Sequence, residues 1–458
     1  MAARKLDYTG IKALVVGLGD TGASCVRWLV EHDAQVRGTD TRAAPPHALH
    51  LREAFPEVAL TLGAFAAEDF AWADLVVVSP GVALATPVIQ AAQAAGKDIV
   101  GDVELFARAI AGSAAKVIAI TGSNGKSTVT ALAGHLCEAA GLDTIIAGNI
   151  GLPVLDALAE REIEDRMPDV WVLELSSFQL ETTVSLKPDA VTVLNISEDH
   201  MDRYAGLADY ASAKARILTA GTQVLNRDDP AVMAMARPGL ALRTFGLNQG
   251  DYGLLTKQDH LWLAEGEQAL IPVDELSIAG LHNAANALAV LALCRAIGLE
   301  YEDLLPALRS FKGLPHRVEK VTTVAERTFY DDSKGTNVGA TAAALMGFTV
   351  PVVLIAGGDG KGQDFSPLRE AVRNARAVVQ IGRDGPQVEA AIAGACRVLR
   401  AETMAEAVQR AYDLSQPGDA VLLSPACASW DMFRNYAHRS EVFIAAVQAL
   451  KAEVERVS

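Results

Sequence analysis

The chain has 458 residues, half of them hydrophobic and only 5% aromatic, with a formal net charge of −16. That length bounds it to about three domains, and the acidic balance argues against a nucleic-acid surface, which needs a basic face. No apolar run approaches the roughly 18 residues of a membrane span, no apolar leader precedes Asp7, and the five cysteines form no paired motif, so a cytosolic protein without membrane insertion, disulfide framework or zinc knuckle is expected.

Residues 11–16 read as a strand entering Gly17-Leu-Gly-Asp-Thr-Gly22, with an amphipathic helix to about residue 31 and a second strand, 35–39, ending at Asp40. This is a βαβ nucleotide-binding opening. Gly17, Gly19 and Gly22 fit G-x-G-x-x-G, and Asp40 lies close to the ~20-residue offset at which an acid meets a ribose hydroxyl. The pattern suits an NAD-dependent dehydrogenase as well as a UDP-binding domain. A short strand at 75–78 ends in Ser79-Pro-Gly81, helices follow at 87–95 and 103–110, and Gly112-Ser-Ala-Ala115 marks a domain boundary.

The second unit opens with a buried strand, 116–120, that runs into Thr121-Gly-Ser-Asn-Gly-Lys-Ser-Thr128 and then a helix. That layout cradles phosphates. Gly122 and Gly125 let backbone N–H groups turn inward, Lys126 supplies a point charge, and Ser127 or Thr128 offers a hydroxyl to Mg²⁺ at a helix N-terminus. Ile120 stands where G-x-x-x-x-G-K-[ST] has glycine, so the loop is a variant. Further strands at 144–147, 170–175 and 190–196 end near Asn149, near Glu174 with Ser176 and Gln179, and at Glu198-Asp-His200. Ligands of open α/β sheets bind beyond such carboxyl ends. A helix at 207–218 bears Lys214, residues 242–263 read as an antiparallel edge, and helices are expected at 283–297 and 301–310.

A third unit begins at Gly313-Leu-Pro-His-Arg317. Strands at 318–324 and 327–330 lead into Asp331-Asp-Ser-Lys-Gly-Thr-Asn337, and a strand at 352–356 feeds Gly357-Gly-Asp-Gly-Lys361. Strands at 378–382 and 420–424 complete another α/β sheet.

Taken jointly, the pieces become specific. Thr121 to Thr128, Glu174-Leu-Ser-Ser-Phe-Gln179, Asn195-Ile-Ser-Glu-Asp-His-Met-Asp-Arg-Tyr204, Leu281-His-Asn-Ala-Ala-Asn286, Gly313-Leu-Pro-His-Arg317 and Asp331-Asp-Ser-Lys-Gly-Thr336 resemble, in order and spacing, the Mur ligases, ATP-dependent amide ligases of peptidoglycan precursor synthesis. The resemblance covers essentially the whole chain. The Glu-Asp-His-Met-Asp-Arg-Tyr and Gly-Leu-Pro-His-Arg segments and Ser424-Pro-Ala-Cys-Ala-Ser429 look most like the members that join D-glutamate to UDP-N-acetylmuramoyl-L-alanine. It implies an α/β fold of three domains: a Rossmann-like UDP-binding unit (1–111), a central P-loop-type ATPase with a mainly parallel sheet (112–313), and a Rossmann-like amino-acid-binding unit (314–458). A monomer is expected.

The reaction so implied has a substrate carboxylate attack the γ-phosphorus of ATP, after which glutamate's amino group attacks the acyl phosphate. The resemblance places ATP on Gly122, Ser123, Asn124, Gly125, Lys126, Ser127 and Thr128, with Asn286 at the adenine, Arg317 at the γ-phosphate and Asp332 at the ribose. Two Mg²⁺ ions are implied, with Ser127 and Glu174 around one and His200 on the other. Lys214 joins the metal ligands only if CO₂ carbamylates it, because an ammonium carries only donors. Lys126, His200 and Lys214 are thus the catalytic candidates. Gly19, Asp40, Thr41, Asn149, Ser176 and Gln179 would meet the UDP-sugar, and Lys334, Thr336, Lys361, Ser429 and Tyr436 the glutamate. Ala285 departs from a frequent Thr and Tyr436 from a common Phe. The alternatives are another amide ligase of the family, adding a different amino acid, an NAD-dependent dehydrogenase fused to an ATPase, or a non-catalytic nucleotide switch; the Asp-Asn-Pro-Arg string of the diamino-acid enzymes is absent.

Overall fold

The computed structural model describes residues 6–278, 280–348 and 350–457. Three sheets follow one another along the chain. The first comprises β1 (Lys12–Val16), β2 (Gln35–Asp40), β3 (Ala59–Leu62), β4 (Leu75–Val78) and β5 (Asp98–Val100), all parallel, in the order β3-β2-β1-β4-β5. Val16 pairs with both Thr39 and Val78. Gly17, Asp40 and Ser79 therefore leave the sheet side by side, at the point where strand order reverses and ligands bind.

The second sheet comprises β6 (Lys116–Thr121), β7 (Thr144–Gly148), β8 (Val170–Glu174), β9 (Ala190–Val193), β10 (Thr222–Asn226), β11 (Ala241–Phe245), β12 (Tyr252–Lys257), β13 (His260–Glu265) and β14 (Gln268–Pro272). Its order is β14-β13-β12-β11-β10-β9-β6-β8-β7. Ile120 pairs with Glu174 and Thr192, so the loop after β6 emerges between the ends of β8 and β9. The expected antiparallel edge is displaced: β11 runs parallel to β10, and only β12 to β14 alternate in direction. The short helix Pro230–Met233 returns the chain to its original direction before β11, whereas β12 and β13 meet at Gln258-Asp259. Both of those residues have positive φ, as a tight two-residue hairpin requires.

The third sheet comprises β15 (Glu319–Val324), β16 (Arg327–Asp331), β17 (Val352–Gly357), β18 (Ala375–Ile381), β19 (Arg397–Arg400) and β20 (Ala420–Leu423), in the order β15-β16-β20-β17-β18-β19. Only β15 is antiparallel to its neighbour. The central strands of all three sheets are almost continuously apolar because helices cover both faces.

The first two sheets share one core. Val15, Phe106 and Leu155 belong to the same buried cluster as Trp171 and Val193, and the Phe106 and Trp171 rings meet edge to face at 5.0 Å. The third sheet keeps separate cores around Phe329 and Leu354. No helix among the described residues is long and apolar enough to cross a membrane.

Candidate active site

A cavity of about 1150 Å³ opens over the carboxyl end of the first sheet and reaches both other domains. Gly17, Gly19, Asp40 and Thr41 line it with Ser127, Asn149 and Gln179 from the second domain and Arg317, Lys334 and Tyr436 from the third. Gly22 is imposed by packing, since a Cβ there would lie 1.8 Å from the Gly17 carbonyl oxygen. At Gly19 a Cβ would meet nothing within 4 Å, so that glycine opens onto the cavity. Asp40 is more committed than its sequence position suggests. Its Oδ2 accepts from the Leu18 amide at 2.7 Å and from Arg42 at 2.6 Å, and its Oδ1 from the Arg42 amide and Nε. Burial opposes its charge, but these donors prevail and hold the carboxyl near 2. With four donors on two oxygens, Asp40 fastens the glycine loop to β2.

The loop after β6 brings cationic groups together. Gly125 has φ of 83°, and a Cβ on it would come within 2.8 Å of Asn286 Oδ1, so glycine lets the loop touch the helix Leu281–Ala296. Lys126 curls back on its own loop, donating to the Gly122 and Ser123 carbonyls at 2.8 and 3.0 Å. Lys214, on the helix Leu207–Ala215, is 1% exposed and donates to the Gly122 carbonyl at 2.9 Å, with Thr121 Oγ1 at 3.4 Å. Burial lowers the pKa of both lysines. Lys214 falls well below the usual lysine range, with Lys126 adding to the effect. Among the described residues, no carboxylate lies within ion-pair distance of either.

Anionic and neutral ligand groups flank this pair. Glu174 is buried; its Oε1 accepts from Asn149 Nδ2 at 2.8 Å, while its Oε2 is buried with no hydrogen-bond donor. A buried carboxylate oxygen with an open acceptor fits a cation. His200 has φ of 57°, and burial pushes its pKa down despite Asp199 beside it, leaving a neutral imidazole suited to metal ligation. Neither Glu174 nor His200 belongs to a group of three or more His, Cys, Asp or Glu ligand atoms lying within 4.8 Å of one another among the described residues. Among the described residues the group whose ligand atoms lie within 4.8 Å is His316, Glu319 and Asp331. There His316 Nδ1 already contacts Asp331 Oδ2 and Ser440 Oγ, both at 2.8 Å, so it forms a hydrogen-bond network.

The third domain meets the second through polar contacts. Arg317 donates to Ser127 Oγ at 3.2 Å, Asn337 Nδ2 to Asn124 Oδ1 at 2.9 Å, and Lys361 Nζ to Asp199 Oδ1 at 2.6 Å. A second cavity of about 230 Å³ lies in this seam, lined by Asn124, Gly125, Thr128, Asn286, Arg317 and Asp332. Burial pushes the Asp332 carboxyl up to about 7, against the Ser424 hydroxyl that donates to it at 2.7 Å and the nearby Arg317.

The glutamate candidates divide. Lys334 and Tyr436 line the large cavity, with the ammonium 3.7 Å from the ring centroid. Thr336, Lys361 and Ser429 do not line it: Lys361 is held by Asp199, and Ser429 is buried on the loop after β20. Ser176 acts as a helix cap, accepting from the Gln179 amide at 3.2 Å. Gln179 is fixed from both ends, its Oε1 on the Ser176 amide and its Nε2 on Asp102 Oδ2. Asp199, Asn337 and Asp102 were not singled out from the sequence. Asp199 sits inside the Glu-Asp-His string and was findable; Asp102 has no local signature, because its partner is 77 residues away.

Three family models match consecutive stretches: the MurD-like N-terminal domain of Mur ligases over residues 11–101, the Mur ligase middle domain over 120–294, and the Mur ligase glutamate ligase domain over 316–427. A UDP-N-acetylmuramoylalanine–D-glutamate ligase from Chromobacterium violaceum is 56% identical over 450 residues, covering 98% of this chain and 99% of the relative. One of the same description from Thiobacillus denitrificans is 57% identical, covering 99% of each. The fold is similar to a UDP-N-acetylmuramate–alanine ligase structure from Thermotoga maritima, with a TM-score of 0.59 and 20% identity over 96% of this chain and 100% of that one. With all three of its sheets matched in order and relatives more than half identical along nearly its whole length, this chain belongs to the Mur ligase family.

Proposed function

We propose that the chain is an ATP-dependent ligase that joins D-glutamate to UDP-N-acetylmuramoyl-L-alanine through an acyl phosphate, in cytoplasmic peptidoglycan precursor synthesis. Full-length relatives of that description support it, and the observation that carries it is electrostatic. Lys126 and Lys214, both desolvated and neither in ion-pair contact with a carboxylate among the described residues, meet at the Gly122 carbonyl, in the loop whose Gly125 lines the smaller cavity and whose Ser127 lines the larger. Glu174 and Asp199 act on this pair only from beyond ion-pair contact, and a triphosphate beside a substrate carboxylate would bring anions into direct contact with it.

In this reading the UDP-sugar occupies the large cavity over Gly19 and Thr41, with Asn149 and Gln179 facing its carboxylate end, and the nucleoside of ATP takes the smaller cavity at Asn286 and Asp332. A carboxylate oxygen attacks the γ-phosphorus, the bond to ADP breaks, and the acyl phosphate forms. Lys126 leaves its own loop carbonyls for the phosphates, and Arg317 turns from Ser127 to the γ-phosphoryl group. Glutamate, its extra carboxylates met by Lys334 and Lys361 near Thr336, Ser429 and Tyr436, attacks with its amine and expels phosphate. Residues 1–111, 112–313 and 314–458 then serve as UDP-sugar, ATP and glutamate units.

Two Mg²⁺ ions, held by Ser127 with Glu174 and by His200 with carbamylated Lys214, would neutralise the charge between carboxylate and triphosphate. The open Glu174 oxygen and the neutral His200 suit that role. Lys214 can be modified because burial favours its neutral amine: the nitrogen attacks CO₂, a C–N bond forms, one C=O bond becomes a carboxylate oxygen, and the amine proton leaves to solvent. The dehydrogenase alternative loses ground because the glycine-loop domain itself matches a Mur ligase N-terminal model.

The test is phosphate release from ATP. Release should require both UDP-N-acetylmuramoyl-L-alanine and D-glutamate; release indifferent to D-glutamate, or equal with another amino acid, would overturn the assignment.

A further inference from the structure

Arg203 follows His200 by three positions, on a turn whose Arg203 and Tyr204 amides both bond to the His200 carbonyl, at 2.9 and 3.2 Å. Its side chain leaves that turn and crosses into the first domain. One guanidinium nitrogen donates to the Pro80 carbonyl at 3.0 Å, and the other to the Val82 carbonyl at 3.1 Å and the Glu181 carboxylate at 3.2 Å. Pro80 and Val82 belong to the loop after β4 and form a wall of the large cavity. The guanidinium carbon also lies 4.2 Å from the centroid of the Phe178 ring, and that same ring lies 4.8 Å from the His200 imidazole. One side chain thus touches the cavity wall directly and the imidazole through a single ring. His200 adopts a left-handed backbone that a non-glycine residue keeps only where its surroundings over-determine it. A planar fork serves three divergent acceptors in a way that an ammonium does not.

We propose that Arg203 is a positioning residue that couples the 79–82 wall of the large cavity to the placement of His200, so that a uridine nucleotide bound in the first domain orders the 198–204 turn in the second. The proposal rests on reading that cavity as the UDP-sugar site. A clamp that only held the domains together would be equally tight with the cavity filled or empty; a coupling residue makes the turn respond.

Amide hydrogen exchange on the full chain, with UDP added and neither ATP nor metal present, tests it. In the wild-type chain UDP should slow exchange in both 79–82 and 198–204, the latter by about threefold or more, because local opening is linked to binding. Arg203→Lys should weaken UDP binding about tenfold, the loss of one or two charge-assisted hydrogen bonds, and at saturating UDP should leave 198–204 unprotected. Phe178→Leu should keep UDP affinity within about twofold, since it spares the carbonyl contacts, yet lose the response at 198–204. UDP binding to the wild-type chain with no change at 198–204 would overturn the proposal, as would an Arg203→Lys variant that responds like the wild type. Failure of UDP to bind the wild-type chain at all would overturn the nucleotide reading of the cavity and the proposal with it. The wild-type measurement decides even if a variant does not fold.

Discussion

The molecule has two seams of opposite character. Between the first and second sheets a continuous apolar core, with Phe106 against Trp171, is ringed by polar ties such as Arg27–Asp156, Gln179–Asp102, Ser185–Glu104 and Arg203 on the Pro80 and Val82 carbonyls. Between the second and third the contacts are polar and made by candidate ligand residues: Arg317 on Ser127, Asn337 on Asn124, Lys361 on Asp199. An apolar seam loses buried area as soon as it opens and so favours one arrangement. A seam of hydrogen bonds can exchange its partners for a ligand's phosphates and carboxylates at little net loss. The first seam suits a fixed platform, and the second a closure that assembles a site around its substrates.

The largest effects expected from breaking this contrast are on the polar side. Lys126→Ala and Lys214→Ala should each lower the rate of phosphate release by about a thousandfold or more while leaving the thermal midpoint near the wild-type value, if the groups act on developing charge as proposed. Short carboxylic acids should partly restore Lys214→Ala if its carbamate is the working group. Phe106→Ala, on the apolar side, should do the reverse: a loss of about 3 to 5 kcal/mol in denaturant unfolding, with activity per folded molecule retained.

Arg317→Ala is next, raising KM for ATP about ten- to a hundredfold in steady-state assays if, as proposed, Arg317 is a charged donor to the phosphates. Asp102→Asn sharpens the contrast by pH. Burial moves the Asp102 carboxyl from 3.8 up to about 6, Gln179 opposing. Between about pH 4 and 6 the folded chain keeps a proton that the unfolded chain has released. Stability therefore falls as pH rises through that window, by about 2 to 3 kcal/mol, and levels off above it. Urea midpoints should show that part of the slope disappearing in Asp102→Asn. The smallest effect belongs to Arg27→Ala: its pair with Asp156 is partly exposed, and about 0.5 kcal/mol is expected.

Much of this was legible along the chain. The three glycine-hinged strand ends, the Thr121 to Thr128 loop and the third sheet's loops all follow from local pattern, because a buried parallel strand must be apolar and a phosphate-facing turn must spare its amides. Local pattern could not place β11, since strand direction depends on how the connection at Pro230–Met233 folds back. It places Asp40 near the ribose offset but carries no sign that Arg42 and the Leu18 amide bond to its oxygens.

Neighbours a few residues apart set the three α/β units, the order of their loops and which side chains could meet phosphates, so these are written in the chain itself. Packing of the folded chain is what makes Lys126 and Lys214 share the Gly122 carbonyl, leaves one Glu174 oxygen open, and lets Arg203 reach the 79–82 loop. Apart from the four-residue reach of Lys126, those contacts join residues 92 to 123 positions apart or depend on burial, and burial is a property of the packed domains rather than of any segment.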